Sequence, residues 1–268
     1  MNDHGFLAEE IDTSTPHPAR MYDYYLGGRD NYESDRKAAD RVMELLPDAE
    51  AQARGNRAFM HRAVRQVVSD GIRQIIDIGT GIPTSPNTHE VARQIAQDVR
   101  VAYVDNDPIV ATYAGAKLTN ADRTGFALAD LRRPRAILEH PVIRQLIDFD
   151  QPVAVMLVAV LHFVSDEEDP AGIVATLTEA LPRGSHLILS HATADFRTEG
   201  IEDAAAVYRS ATAQITLRRR AQLLSFLEGY QLLDPGLVQA SAWRPEHSLA
   251  ADAGQHPIVA YGAVGRKG

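Results

Sequence analysis

The feature that most constrains the fold is an alternation of short apolar runs with helical patterns, beginning near residue 55. Between segments of helical spacing stand the apolar runs RQIIDIG, RVAYVD, GFALAD, PVAVMLVAVL and SHLILSHA. Strands that alternate with helices of about a dozen residues form right-handed βαβ units, and therefore a parallel sheet. The pattern predicts an α/β fold, and the unbroken run PVAVMLVAVL is typical of a strand buried on both faces.

The segments on either side of this alternation complete the predicted architecture. NRAFMHRAVRQVVSDG carries apolar residues at positions 59, 60, 63, 64, 67 and 68, a helical stripe that Gly71 would end. After a helical stretch over 200–227, GYQLLDPGLVQA and HPIVAYGAVGR are strand-like and separated by a loop, which indicates an antiparallel pair at one edge. We predict a doubly wound, seven-stranded, mostly parallel sheet in one domain over residues 55–268, preceded by a helical N-terminal extension over 1–54.

Composition limits the classes of binding partner and the cellular compartment that we expect for this protein. The 268-residue chain is 45% hydrophobic, as expected of a folded, soluble protein with a large core. Its net charge of -9 argues against nucleic acid as a partner, because affinity for phosphates comes from clustered lysine and arginine. No run of about 20 apolar residues predicts a membrane span, and MNDHGFLAEE lacks the pattern of a secretory signal. We expect a cytoplasmic protein with no membrane partner; its oligomeric state is left open.

The chain has no cysteine, which removes several kinds of chemistry. Disulfides, thiolate metal sites, iron–sulfur clusters and cysteine nucleophiles are excluded, and with them covalent C5 methylation of cytosine and radical chemistry at a cluster. His186 and His191 lie five residues apart on one predicted strand and therefore face opposite ways. We predict no metal site.

The turn after the first strand, DIGTGIPT, is the predicted ligand site, because ligands of doubly wound sheets lie beyond the carboxyl ends of the strands. Gly79 and Gly81 permit a tight turn and close approach of a ligand to the backbone. A dinucleotide fingerprint would need glycine where Thr84 stands, and Asp77 would repel a pyrophosphate. An acidic residue here suits a positively charged ligand, and we predict S-adenosylmethionine in preference to NAD.

Acidic residues also end the next two strands. Asp105 stands where a carboxylate can accept hydrogen bonds from both hydroxyls of a ribose. Asp130 could accept from an adenine amino group or could simply cap the following helix. Asp107, followed by Pro108, has the pattern of an ordinary helix N-cap.

These motifs resemble those of the class I S-adenosylmethionine-dependent methyltransferases: DIGTG their first motif, YVDND the end of strand two, ADL the adenine-contacting segment and LVAVLHFV the fourth strand. The chain is also similar over almost its whole length to a bacterial family identified as S-adenosyl methyltransferases, formerly a domain of unknown function, which shares HPARMYDYYLGGRDNY, DIGTGIPT, YVDNDP, VAVLHF and LSHATAD. The resemblance implies a Rossmann-like methyltransferase fold. It also implies a cofactor-binding set of Asp77, Gly79, Thr80, Gly81, Asp105, Asn106, Asp130, Leu131, Val158 and Ala159.

Two positions qualify the transfer of roles from the family. Pro83 replaces the glycine common at the seventh position of the first motif, so the next helix is predicted to begin late, at residues 85–87, with Glu90 capping at Asn87. His162 is the candidate catalytic base that the resemblance implies, although a histidine that only shapes the wall fits equally well. His191 is a second, weaker candidate.

The segment RMYDYYLGGRDNY concentrates tyrosines ahead of the first predicted core helix. It could pack on the flank of the sheet, or it could close over the site as a lid, with a sharp turn at Gly27 and Gly28. The lid hypothesis adds Arg20, Tyr22, Tyr24 and Asn31 to the predicted donor-binding residues.

The sequence therefore predicts S-adenosylmethionine-dependent methyl transfer to a small-molecule oxygen or nitrogen acceptor. The Asn/Asp-Pro-Pro-aromatic motif of amino methylation on bases is absent. The alternatives are a sensor or interaction module that binds S-adenosylmethionine or S-adenosylhomocysteine without catalysis, and a nucleotide-dependent oxidoreductase, which Thr84 and Asp77 disfavour.

Overall fold

A single twisted sheet organises the protein. The computed structural model describes residues 12–117, 122–196, 199–245 and 259–268. Its strands are β1 (Gln74–Ile78), β2 (Arg100–Asp105), β3 (Thr124–Leu128), β4 (Ala154–Val158), β5 (His186–Ala192), β6 (Tyr230–Leu232), β7 (Val238–Gln239) and β8 (Ala260–Lys267). The order is β3-β2-β1-β4-β5-β8-β6, with β7 paired to β8 off this path. β1 to β5 are parallel, whereas β8 is antiparallel to β5, β6 and β7. The predicted doubly wound, mostly parallel sheet is confirmed.

The strand count differs from the prediction in one place. The segment 229–240 was expected as one strand, and it forms both β6 and β7. Pro235 has no backbone N–H for a ladder, and Gly236 adopts a φ of 82°, so the chain turns between the two short strands. The predicted partner strand begins at His256, but only residues from 259 onward are described.

Helices cover both faces of the sheet. In the described ranges they are α1 (Pro18–Tyr25), α2 (Glu33–Leu45), α3 (Ala49–Ser69), α4 (Thr88–Arg93), α5 (Pro108–Lys117), α6 (Pro134–Glu139), α7 (Pro141–Leu146), α8 (Pro170–Glu179), α9 (Ile201–Val207) and α10 (Arg220–Ser225). Side chains of β1 show the two layers: Ile76 and Ile78 pack into one core cluster and Ile75 into the other. This explains the unbroken apolar runs, since a strand covered on both faces has no solvent side.

The predicted continuous helix over 200–227 is wrong. α9 and α10 are separated by a short 3-10 turn, Tyr208–Ser210, and an irregular segment over 211–219. This segment makes tertiary backbone bonds instead: Thr212 N–H donates to the Pro16 carbonyl and Thr216 N–H to the His162 carbonyl. Local periodicity does not register such contacts, which hold this segment against α1 and the end of β4.

The N-terminal extension is helical, as predicted, and continuous with the domain. Apolar side chains of α1, α2 and α9 share one buried cluster, which includes Met21, Val42 and Ala204. The predicted stripe at 59, 60, 63, 64, 67 and 68 is buried on α3, and the chain leaves that helix at Gly71 with a φ of 101°. However, α3 begins at Ala49, so the predicted boundary at 54/55 falls inside a helix. Over the described ranges, no helix combines the length and apolarity that a membrane span requires.

Candidate active site

A cavity of about 550 Å³ lies at the carboxyl ends of the parallel strands. Its walls come from the loops after β1 to β4, from the end of β5, and from α1, α2, α3 and α9. This is where a doubly wound sheet places its ligand, and the volume is within the range of about 300–1,000 Å³ seen for small-molecule sites. All the predicted strand-end residues, from Asp77 to Ala159, line it, as do Arg20 and Tyr22.

The loop after β1 turns sharply through its two glycines. Gly79 and Gly81 have φ values of 74° and 66°, in the region where side chains are strained. A Cβ on Gly79 would stand 2.3 Å from Cγ2 of Val160, so this loop also needs glycine for close packing against the end of β4. The N–H groups of Gly79 and Thr80 both donate to the Val104 carbonyl, which fixes the loop to β2.

Asp77 is buried at the base of this loop and accepts a hydrogen bond from Thr88 Oγ1 at 2.6 Å. Burial raises the pKa of its carboxyl, so ionisation of Asp77 in the folded protein costs free energy. Thr88 is the first residue of α4, and Asn87 and Glu90 form the capping box there. The predicted late start of this helix is confirmed.

Asp105 presents a buried carboxylate at the end of β2. Oδ2 accepts from Gly81 N–H at 2.8 Å and Oδ1 from Asp107 N–H at 3.0 Å. Burial nevertheless raises the pKa of Asp105 to about 6. Asp107 caps α5 through the Ile109 N–H at 2.8 Å, as predicted, and Asn106 lies exposed at the rim of the cavity.

Asp130 and Leu131 line the cavity at the end of β3, with Leu131 buried. The Asp130 carboxylate accepts from the backbone N–H of Arg132 at 2.9 Å and forms an ion pair with its guanidinium at 3.1 Å. α6 begins at Pro134 after Arg133, so Asp130 is not its N-cap. Of the two alternatives, helix capping is therefore wrong, and part of the acceptor capacity of Asp130 is already used by Arg132.

A chain of buried hydrogen bonds supports the end of β4. Ala159 has a φ of 54°, and its N–H donates to Ser190 Oγ at 3.0 Å. Ser190 Oγ donates to Asn56 Oδ1 at 2.7 Å, and Asn56 Nδ2 donates to Tyr22 Oη at 3.1 Å. These hydrogen bonds join β4, β5, α3 and α1 around the cavity. No sequence pattern identifies Asn56 or Ser190, because their partners are distant along the chain.

The N-terminal segment is split between cavity and surface. Tyr22 lines the cavity and donates to the Ala53 carbonyl at 2.9 Å. Tyr24 points away, with its hydroxyl 3.1 Å from Asp40 in an exposed contact. Asn31 Nδ2 donates to Asp23 at 2.8 Å and closes the turn at Gly28. Tyr24 and Asn31 are thus absent from the cavity wall, a correction to the predicted set. Tyr24 is two residues after Tyr22 and therefore lies on the opposite face of α1, and Asn31 is engaged in the turn.

Arg20 is the charged group of α1 at the cavity, with 2% of its surface exposed. Its Nε lies 3.5 Å from Asp35 Oδ1 and 3.9 Å from Asp107 Oδ2, while Nη2 donates to the Thr15 carbonyl. Asp107 Oδ2 also lies 3.2 Å from His17 Nδ1, whereas Nη1 of Arg20 is buried without a hydrogen-bond partner. A buried donor left in this state at a cavity wall marks a place for a polar ligand.

His162 lines the cavity, as predicted, but its environment does not suit a general base. The N–H of Ala192 donates to His162 Nδ1 at 3.4 Å, so in the neutral ring the proton is on Nε2. Burial, with His191 and Arg218 nearby, lowers the pKa of His162 well below its usual value. A general base works best with a pKa near the working pH, and His162 is far from that condition.

His191 is held by a buried arginine and cannot easily be protonated. Its Nδ1 donates to the Ala192 carbonyl at 2.7 Å, and its Nε2 accepts from Arg218 Nη1 at 3.0 Å. Burial lowers the pKa of His191 to about 3. Arg218, 1% exposed, also donates to Asp166 and to the carbonyls of Leu161 and Val164. No residue in the described ranges belongs to a group of three potential metal ligands.

A mostly parallel sheet in this order, with a glycine turn and carboxylates at successive strand ends, defines the class of Rossmann-like methyltransferases. A family model described as S-adenosyl methyltransferase matches residues 5–268. The chain belongs to this S-adenosyl methyltransferase family, so it is an S-adenosylmethionine-dependent methyltransferase and that compound is its methyl donor, as predicted.

Solved structures agree with this assignment. The chain is 43% identical to a DUF574 family protein from Streptomyces avermitilis, with a TM-score of 0.93 over 97% of this chain and 100% of that one. It is 36% identical to a putative methyltransferase from Thermobifida fusca, with a TM-score of 0.89 over 96% of each chain. The plantazolicin methyltransferase BamL, solved with S-adenosylhomocysteine, is 13% identical with a TM-score of 0.52 over 93% of this chain and 96% of that one, and shows the fold alone. A search of curated protein sequences finds no match.

Proposed function

We propose that the protein transfers the methyl group to an oxygen or nitrogen atom of a small molecule held in the cavity beside the donor. The observation that carries this proposal is that one cavity is lined both by the strand ends, where we place the donor, and by a wall of α1, α2 and α9. A site for the donor alone does not need this second wall. The cavity volume of about 550 Å³ and the net charge of -9 support a small molecule in preference to nucleic acid.

The residues present fit S-adenosylmethionine. Asp105 keeps free lone pairs after its two backbone bonds, and a buried carboxylate whose pKa is about 6 gains from hydroxyl donors such as those of a ribose. Asp77 provides negative charge beside the loop of Gly79, Thr80 and Gly81, which suits the ammonium and sulfonium of the donor. We assign adenine contacts to Leu131 and Asp130.

Arg20, Tyr22, Val158 and Ala159 complete the proposed donor-binding set from the roof and from the end of β4. Tyr22 is fixed by Ala53 and Asn56, and Ala159 by Ser190, so both are positioned before any ligand arrives. Nη1 of Arg20, the guanidinium nitrogen with neither a hydrogen bond nor an ion-pair contact, can meet the carboxylate of the donor.

The donor supplies an electrophilic methyl group on a sulfonium, so the protein needs mainly to align the acceptor atom with it. His162 presents an N–H in its neutral form, and both His162 and His191 have lowered pKa values. The site therefore favours an acceptor atom with an available lone pair, such as a neutral amine or a ring nitrogen, over an alcohol that must lose a proton. In this proposal His162 orients the acceptor.

Calorimetry against S-adenosylmethionine, S-adenosylhomocysteine and NAD tests the donor half of the proposal. We expect both sulfur compounds to bind and Asp105→Ala to weaken them by about 10-fold or more, from the loss of hydrogen bonds to a charged group. Asp150→Asn, an exposed carboxylate, is the matched control and should bind like the wild type. Binding of NAD alone would overturn the proposal.

Incubation of the protein and labelled donor with fractionated cell extract tests the acceptor half. A labelled small molecule in the product fraction is the expected result. Intact donor binding with no labelled product in any fraction would favour the sensor alternative, which requires the donor half of the cavity but gives no reason for the wall of α1, α2 and α9.

A further inference from the structure

We call one part of the cavity wall the acceptor chamber: it is formed by Tyr25 of α1, Val42 of α2, Phe163, and the lining residues of α9 and of the segment 208–217. None of them is an acid, a lysine, an arginine or a histidine. The acids and arginines on the cavity wall lie outside this part, among them Asp77 and Asp105 at the strand ends, Arg20 on α1 and Arg57 on α3. The two parts of the cavity therefore differ sharply in charge.

Aromatic rings connect the chamber to the proposed methyl-transfer position. The rings of His162 and Phe163 lie 4.4 Å apart between centroids, and those of Phe163 and Tyr208 lie 6.0 Å apart. Both distances are typical of favourable aromatic contacts, and a flat ligand can pack against such a wall. Because His162 follows β4 close to Ala159, a ligand along this wall would reach the donor side of the cavity.

Two tyrosine hydroxyls contact each other in the chamber, and the hydroxyl of Thr212 is a further polar group on its wall. Oη of Tyr25 and Oη of Tyr208 are 3.3 Å apart, and either can be the donor. One shared hydrogen bond uses one of the two hydroxyl protons, so the other proton remains available to a ligand. Burial raises the pKa of both groups, that of Tyr208 to about 12, so the pair is neutral. It can bind an uncharged oxygen by a hydrogen bond, and it carries no charge to offset that of an anion or a cation.

We infer that the methyl acceptor is an uncharged, flat, predominantly apolar compound of aromatic type that carries an oxygen bound by the Tyr25 and Tyr208 hydroxyls. This inference rests on the proposed function, since it names the acceptor class of the same cavity. An ionised acceptor would lose its hydration in the chamber without a partner of opposite charge, and that cost is large.

The test uses two naphthalene probes matched in size, titrated by calorimetry into the full chain saturated with S-adenosylhomocysteine. 1-Naphthol is uncharged at neutral pH, and 1-naphthoate is an anion. We expect 1-naphthol to bind at least about tenfold more tightly than 1-naphthoate. Equal or tighter binding of 1-naphthoate, or no binding of 1-naphthol to the saturated protein, would overturn the inference.

Two sets of variants locate the probe. Ala205 lines the chamber and is only half-buried, so Ala205→Phe should fill the space and reduce 1-naphthol affinity by about tenfold or more. Ala206→Phe changes the next residue of α9, which is outside the lining, and should leave binding unchanged. Tyr25→Phe removes one hydroxyl and should weaken 1-naphthol about fivefold to tenfold.

Binding of S-adenosylhomocysteine is measured first for each variant and separates the two proposals. Normal binding of this compound, with 1-naphthol indifferent to Ala205→Phe and Tyr25→Phe, contradicts the acceptor chamber alone. A wild-type protein that does not bind S-adenosylhomocysteine contradicts the proposed function, and the acceptor inference fails with it.

Discussion

Asp105 should lower the free energy of unfolding as the pH rises, and substitution of Asp105 should abolish this effect. In the folded chain its pKa rises from the usual 3.8 to about 6, chiefly through burial. At about 1.36 kcal/mol for each pKa unit, this rise corresponds to about 3 kcal/mol. Because the folded state holds the proton more tightly than the unfolded state, ionisation costs stability as the pH rises. The penalty should accumulate between about pH 4 and pH 6 and be fully present above pH 6.

The measurement is the free energy of unfolding in urea, from pH 4 to pH 7 and without the methyl donor, for the wild type and Asp105→Asn. Asparagine does not titrate, so any loss of its hydrogen bonds adds a constant offset, and carboxyls common to both proteins, such as Asp77, cancel. The wild type should lose about 2–2.5 kcal/mol relative to the variant over this range, because part of the penalty is already present at pH 4. The exposed Asp150→Asn control should show no such trend. A flat difference for Asp105→Asn, or one of opposite sign, would refute the argument that burial dominates at this carboxyl.

Three further changes test other parts of the site by the same urea measurement. Gly79→Ala should cost about 2 kcal/mol or more, because its Cβ would lie 2.3 Å from Val160 at a φ of 74°; a loss under about 0.5 kcal/mol would show that the loop relaxes freely. Arg218→Met should cost about 2–4 kcal/mol, because two buried carbonyls lose their hydrogen-bond donor. The control Arg209→Met, at an exposed arginine, should leave the free energy of unfolding unchanged, and equal effects of the two substitutions would contradict this prediction. Asn56→Ala and Ser190→Ala should be coupled by about 1 kcal/mol in a double-mutant cycle, and additivity would deny their hydrogen bond.

Much of the fold could be predicted because its signals are local. The apolar runs of β1 to β5, the stripe of α3, the Asp107 cap and the Asn87–Glu90 capping box each depend on residues a few positions apart. The same holds for the glycines of the first turn. Helical and strand periodicity can detect patterns that extend over only a few residues.

The errors arose where distant contacts decide the structure. The segment 211–219 leaves the helical pattern because its backbone bonds to residues 16 and 162. The inward face of α1 was not resolved by composition, so Tyr22 could not be distinguished from Tyr24. The partners Asn56 and Ser190 are 134 positions apart, and the low basicity of His162 depends on burial and on Arg218, which no spacing reveals.

The unbroken course of α3 limits how the cavity can open. Its first half, with Ala53 and Asn56, lines the cavity, while its second half, with Phe59 and Val64, is buried in the core. Exposure of the first half by a hinge would break a helix held by core packing, so its backbone amides should exchange with deuterated water nearly as slowly as those of the core. The eight-residue α1 has no such anchor within the sheet layers, and its amides should exchange sooner. Ligands would then enter and leave past α1, at a rate set by the local opening of that short helix.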